Sequence, residues 1–168
     1  STLLNFLKEQ YYLLGLELPK GFERLENPNS RTITTGHQLQ LFGGPAFLHY
    51  KVITAIRKAK ETGDVPVFWL ASEDHDFKEI SWVWGEKEKH IWETKDSGSE
   101  VGRLSTKGLR EAFECWSDDL EVDVDDIAQT LASSSGLSYS QFYIKLMHLW
   151  YGDTVSYTHL TLPTIYSV

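Results

Sequence analysis

One cysteine, one methionine and five prolines stand among 168 residues, and the first of these scarcities already excludes a class of protein. The lone Cys115 rules out an internal disulfide framework, so a reducing compartment, the cytoplasm, is the expected setting. No uninterrupted apolar stretch reaches the roughly 18 to 20 residues that a membrane helix needs, and no charged-then-apolar signal peptide opens the chain. Basic residues are scarce too: 16 Lys and Arg stand against 24 Asp and Glu, giving a formal net charge of −8 and a pI near 5.2. Affinity for a phosphate backbone comes mainly from clustered Lys and Arg, so nucleic acid is not expected as a partner, and small or cationic ligands are favoured. What is present is a globular composition, 41% apolar and 24% charged, with 13% aromatic residues that must be buried in a core, a partner or a cleft. The length fits one domain, or part of one, on a scale of roughly 150 residues per domain.

Periodicity orders the chain. Leu3, Leu7, Tyr11 and Leu14 recur at helical spacing over residues 2–14, and residues 18–30 read as a loop with a helical turn at 22–25. A short β-branched strand is expected at 31–35, a helix from Pro45 to about residue 61, and a strand buried on both faces at 65–71. Strand, helix and strand make a βαβ unit, which pairs its strands in parallel. Ligands of open α/β sheets bind outside the carboxyl ends of the strands, so residues 36–38 and 72–76 are expected at one edge. Beyond it, Ile80, Trp82, Trp84 and Ile91 around a polar turn predict a β-hairpin, and residues 101–104 a third short strand. Helices are expected at 107–118, 123–133 and 139–151, the last with a stripe of Phe142, Leu146, Leu149 and Trp150.

Two segments carry polar chemistry. GHQLQLFGGP, residues 36–45, joins strand to helix through Gly36, Gly43 and Gly44, so its backbone can turn tightly and approach a ligand, while the helix start favours an anion. It matches neither the dinucleotide fingerprint nor the P-loop, and taken alone it is better explained as a structural turn. ASEDHDF, residues 71–77, sets Glu73, Asp74 and Asp76 around His75 directly after a buried strand. Such groups must be solvated, paired or bound, and a histidine beside carboxylates can act as acid, base or ligand. The alternative is a charged loop that starts the next element. Lys51, early in the helix after Pro45, can reach an anion at the edge or lie along the surface. Cys115 reads as a half-buried helix residue, and His90 and His148 as isolated boundary residues.

TITTGHQLQLFGGPAFLHYK (residues 32–51) with VPVFWLASEDHDFKEI (65–80) closely resembles the cysteine-adding enzymes of bacillithiol biosynthesis, the BshC family. LKEQYYLLG and EVGRLSTKGL, the latter at residues 100–109, extend the resemblance over nearly all of residues 5–152. The resemblance implies an α/β fold with a Rossmann-like, nucleotidyltransferase-like parallel-sheet core, an inserted hairpin region and helices. It also implies a ligase that joins the carboxyl of cysteine to the amine of glucosaminyl malate. The resemblance implies, further, a full-length homodimer formed through a C-terminal coiled coil absent here, so this chain alone is expected to be inactive. On this reading His37, Asp74, His75 and Asp76 are the catalytic candidates, and Gly36, Gln38, Gly43, Gly44, Lys51 and Glu73 bind substrate or nucleotide. No metal is expected, and the use of ATP or another nucleotide stays open. Two alternatives stand beside it: a metal-dependent hydrolase with His37, Asp74, His75 and Asp76 as ligands, and a noncatalytic nucleotide-binding or assembly module.

Both ends read as non-natural boundaries. VSYTHLTLPTIYSV, residues 155–168, resembles the translation of a transposase-type sequencing adapter, and the chain starts at Ser1 inside an apolar pattern. The expected organisation is a Rossmann-like part over 1–154 and an adapter-derived tail over 155–168, which should pack little because it was never selected against this core.

Overall fold

β1 (Thr32–His37) and β2 (Val65–Leu70) lie side by side in parallel, from Thr32 opposite Val65 to His37 opposite Leu70. They form the centre of a computed structural model that describes residues 2–159. α2 (Ala46–Thr62) connects them, burying Leu48, Val52, Ala55 and Ala59 at helical spacing. Gly63, at φ 74°, ends it in the left-handed conformation that a β-carbon disfavours. The strand–helix–strand unit is thus as expected, with β1 running on through Gly36 and His37.

The sheet has a third parallel strand, β5 (Ser156–His159), on the far side of β2, with Val67 opposite Ser156 and Leu70 opposite His159. This overturns the expectation of a loosely packed tail over residues 155–159; residues 160–168 lie outside the described residues. Tyr157 is fully buried, its N–H donates to the Tyr11 hydroxyl at 3.0 Å, and its own hydroxyl donates to the Met147 carbonyl at 2.8 Å. The physical reason is local. The second edge of β2 carries backbone groups that need partners, and Val155 and Tyr157 put β-favouring apolar side chains into the core at a period of two.

Around the sheet, α1 (Thr2–Leu13) buries Leu4, Leu7 and Tyr11, with Leu14 just beyond its end, while Leu3 is 60% exposed, so the expected stripe shifts by one residue at its start. After β2 come a one-turn helix, α3 (Phe77–Ile80), and the hairpin of β3 (Trp82–Trp84) and β4 (Lys89–Ile91). Ile80 therefore closes α3 instead of opening the hairpin. Val101–Arg103 is a 3₁₀ turn and not a third strand, because its backbone bonds the loop after β2. α4 (Leu109–Ser117), α5 (Asp125–Ala132) and α6 (Tyr139–Tyr151) complete the described chain. α6 opens with a reciprocal capping box between Ser138 and Gln141. It buries Tyr139, Phe142, Tyr143, Ile144, Leu146 and Met147, whereas Leu149 and Trp150, expected in the stripe, are 40% and 37% exposed. Packed against α5 and the turns at 41–43 and 101–103, α6 is covered on a wider arc than one stripe.

His90, expected at the boundary, is buried, with Nε2 2.9 Å from Asp119 Oδ2. Asp119 also accepts the Lys87 and Glu88 N–H groups, and the His90 bond is the main reason its carboxyl is held below the usual range. One carboxylate thereby fastens the hairpin turn to the α4–α5 junction, and a Cβ on Gly85 would stand 2.1 Å from it. Cys115 is exposed.

Replacing Tyr157 by Ala should cost about 3 to 5 kcal/mol, as expected for deleting a buried aromatic ring, read as a fall in the urea midpoint at unchanged slope. A midpoint within error of the parent would show that β5 does not pack as described.

Candidate functional site

Because β1 and β2 are parallel, the loops that follow them leave the same edge of the sheet. Gln38 joins them: its Nε2 lies 2.8 Å from Asp74 Oδ2 and 2.7 Å from Glu79 Oε2. An amide nitrogen has two hydrogens, and both are used here, which leaves the side-chain oxygen Oε1 of Gln38 as an acceptor without a partner among the described atoms. Gln40 adds a donation at 3.3 Å to the Glu79 carbonyl.

The acidic loop is largely self-satisfied. Asp74 Oδ1 accepts the Asp76 N–H at 3.0 Å, and Asp76 Oδ1 caps α3 by accepting the Glu79 N–H at 3.2 Å. The Gln38 amide, followed by the Asp76 N–H, holds the Asp74 carboxyl below the ordinary carboxylate range. Asp74 and Asp76 thus shape the loop. His75 is exposed and lines a neighbouring pocket with Arg103. Glu73 differs: its Oε2 is buried and has no hydrogen-bond partner among the described atoms. A buried carboxylate oxygen without a donor is costly, so this atom is poised to accept an N–H or ammonium.

His37 is half-buried, with Nδ1 3.2 Å from the backbone carbonyl oxygen of Gln38. A carbonyl only accepts, so Nδ1 carries the hydrogen and Nε2 presents its lone pair. Burial lowers the His37 pKa, and the nearby Lys51 charge adds to the effect. The imidazole is therefore neutral near pH 7 and able to accept a proton. Lys51 donates through Nζ to the Gly36 carbonyl, on the side of β1 away from β2, and lies 5.6 Å from the Phe47 ring centroid.

The glycines have packing reasons. A Cβ on Gly36 would stand 2.7 Å from the ring of its strand partner Trp69, and one on Gly43 equally close to Trp150. One on Gly44 would lie 2.4 Å from the Gln40 Cβ, and Gly43 and Gly44 hold φ of 94° and 66°. Their missing side chains leave room that the protein's own residues fill. Among the described residues no three His, Cys, Asp or Glu side chains converge as metal ligands, and the four residues of the hydrolase alternative are divided between loop bonds and solvent. Sequence reasoning missed Glu79, although its place three residues after Asp76 is a capping pattern, and missed Arg103, which no local signal marks.

Residues 1–154 match the family described as the N-terminal Rossmann-like domain of the bacillithiol biosynthesis protein BshC. Relatives carrying the name "Putative cysteine ligase BshC" include one from Flavobacterium johnsoniae, 42% identical over 139 residues, covering 77% of this chain and 26% of the relative. A second, from Flavobacterium psychrophilum, is 38% identical over 83% of this chain and 28% of its own length. A third, from Cytophaga hutchinsonii, is 39% identical over 91% of this chain and 30% of its own. The chain spans about a quarter to a third of the length of the curated relatives it matches.

Two measurements check this geometry. The His37 ring proton should titrate by NMR with a midpoint below the ordinary value of about 6.5; a midpoint above it would remove the neutral-base description. Gln38→Leu should cost about 1 kcal/mol at pH 7. Because Asp74 titrates low when folded, the share of that difference due to Asp74 should be full above its unfolded pKa of about 3.9 and be lost as the pH falls through the folded value.

Proposed function

This chain belongs to the BshC family of bacillithiol biosynthesis, as its N-terminal Rossmann-like domain, and from that premise we propose that it forms part of a ligase adding cysteine to the amine of glucosaminyl malate. Overall, a carboxylate and an ammonium condense to an amide and release water. The observation that carries the reading is the Gln38 amide, which bonds the second polar loop to the first at the carboxyl edge of a parallel sheet, where α/β proteins hold their ligands.

Roles follow from free atoms. His37 Nε2 takes the proton that the attacking amine must lose, help typically worth roughly 10² to 10⁴ in rate. The Gln38 side-chain Oε1 and Glu73 Oε2 accept the amine hydrogens and orient its lone pair. Asp74 and Asp76 keep the loop in shape, and Lys51 holds the last turn of β1 while favouring neutral His37. No residue is assigned to a nucleotide or a metal. Activity belongs to the full-length protein, a homodimer through its coiled coil, acting in the cytoplasm; among the described residues no helix is long and apolar enough to cross a membrane. Residues 155–168 derive from the adapter whose translation they resemble, a reading supported by a family match that covers residues 1–154.

In the full-length protein, His37→Gln should lower the rate of cysteine addition by roughly 10² to 10⁴ with little change in thermal midpoint. Asp76→Ala should instead cost about 1 kcal/mol of folding free energy, the loss of a helix cap. Near-normal turnover of the His37→Gln enzyme would sink the assignment.

A further inference from the structure

A pocket lies beside the loop that carries Asp74 and His75. Residues 100–104 cross that loop as a strap: the Val101 N–H donates to the Asp74 carbonyl at 2.7 Å, and the Gly102 N–H to the Ser72 carbonyl at 2.8 Å. Gly102 is buried, and a Cβ there would stand 2.5 Å from that of Ser72, so only glycine lies this close. The strap and the turn in which the Ser99 N–H bonds the Asp96 carbonyl enclose an open pocket of about 320 Å³. His75, Asp96, Ser99, Glu100, Arg103 and Leu104 line it. Its volume is at the lower end of small-molecule sites, roughly 300 to 1,000 Å³.

Charge selects the ligand. Arg103 Nε bonds Glu100 Oε2 at 2.7 Å, and a guanidinium has five N–H donors, so most remain for an incoming anion. Asp96 adds a second carboxylate, so the lining presents both signs. A dicarboxylate would leave the two acidic side chains unanswered, and a simple cation would leave Arg103 unanswered. An ammonium beside a carboxylate satisfies both signs. We propose that this pocket binds a free α-amino acid, its carboxylate on Arg103 and its ammonium on Asp96 and Glu100. Resting on the ligase reading above, that amino acid is cysteine, which separates it from the acidic acceptor.

The test is an amide NMR titration of the 168-residue chain with L-cysteine, L-alanine and L-malate. Both amino acids should shift the Ser99, Arg103 and Leu104 amides saturably, and malate should not. Arg103→Gln, at a side chain 73% exposed and therefore safe for folding, should weaken both amino acids at least tenfold, and Glu100→Gln should weaken them as well. L-alanine binding through Arg103 without L-cysteine binding would keep the pocket and overturn the cysteine reading. L-cysteine binding that Arg103→Gln leaves unchanged, with shifts confined to residues such as His37 and Gln38, would overturn the pocket and keep the ligase reading. Malate displacing alanine, or neither amino acid perturbing the strap, would also overturn the pocket.

Discussion

Parallel pairing of β1 with β2 is the constraint on which the rest of this structure depends. Antiparallel strands would send their following loops to opposite edges, and His37 and Glu73 would then be separated by the length of the sheet. With Thr32 opposite Val65 and His37 opposite Leu70, both strands end level. One glutamine side chain is then long enough to bridge the loops, and its two hydrogens take up Asp74 and Glu79 together. The acidic loop gains its shape from that bridge, from the Asp76 cap on α3 and from the strap at 101–102.

The loop's ionisable residues divide by what their atoms already do. Asp74 and Asp76 have oxygens committed to N–H groups of the same structure, which makes them good scaffolding. His37 and Glu73 retain an uncommitted polar atom each in a half-buried setting, where a proton or an ammonium interacts more strongly than in water. The glycines follow the same logic, since Gly36, Gly43, Gly44 and Gly102 are where a ring, a side chain or a second backbone comes closest.

The βαβ unit, its shared edge and the two polar motifs were legible in the residue pattern because hydrophobic periodicity, Pro45 and Gly63 act locally. The hairpin, the three later helices and the family were legible on the same kind of signal, the last through long motifs matched by the relatives found. Less legible were the exact faces. Leu149 and Trp150 keep helical spacing yet stay partly exposed, because the partners of α6 cover a different arc. His90 looks solitary in sequence, since its partner Asp119 lies 29 residues away.

By itself, then, the sequence determined the element types, the parallel core and the list of groups able to do chemistry, because each rests on neighbours within a few residues. Tertiary structure decided which of those groups are spent and which are free. The crossing of residues 101–102 over the loop, the Gln38 bridge to Asp74 and Glu79, the burial of the Glu73 oxygen and the seating of Tyr157 against Tyr11 all depend on contacts between distant segments. Local propensity carries no information about such contacts, because their energies arise only when the core excludes water and fixes both partners at once.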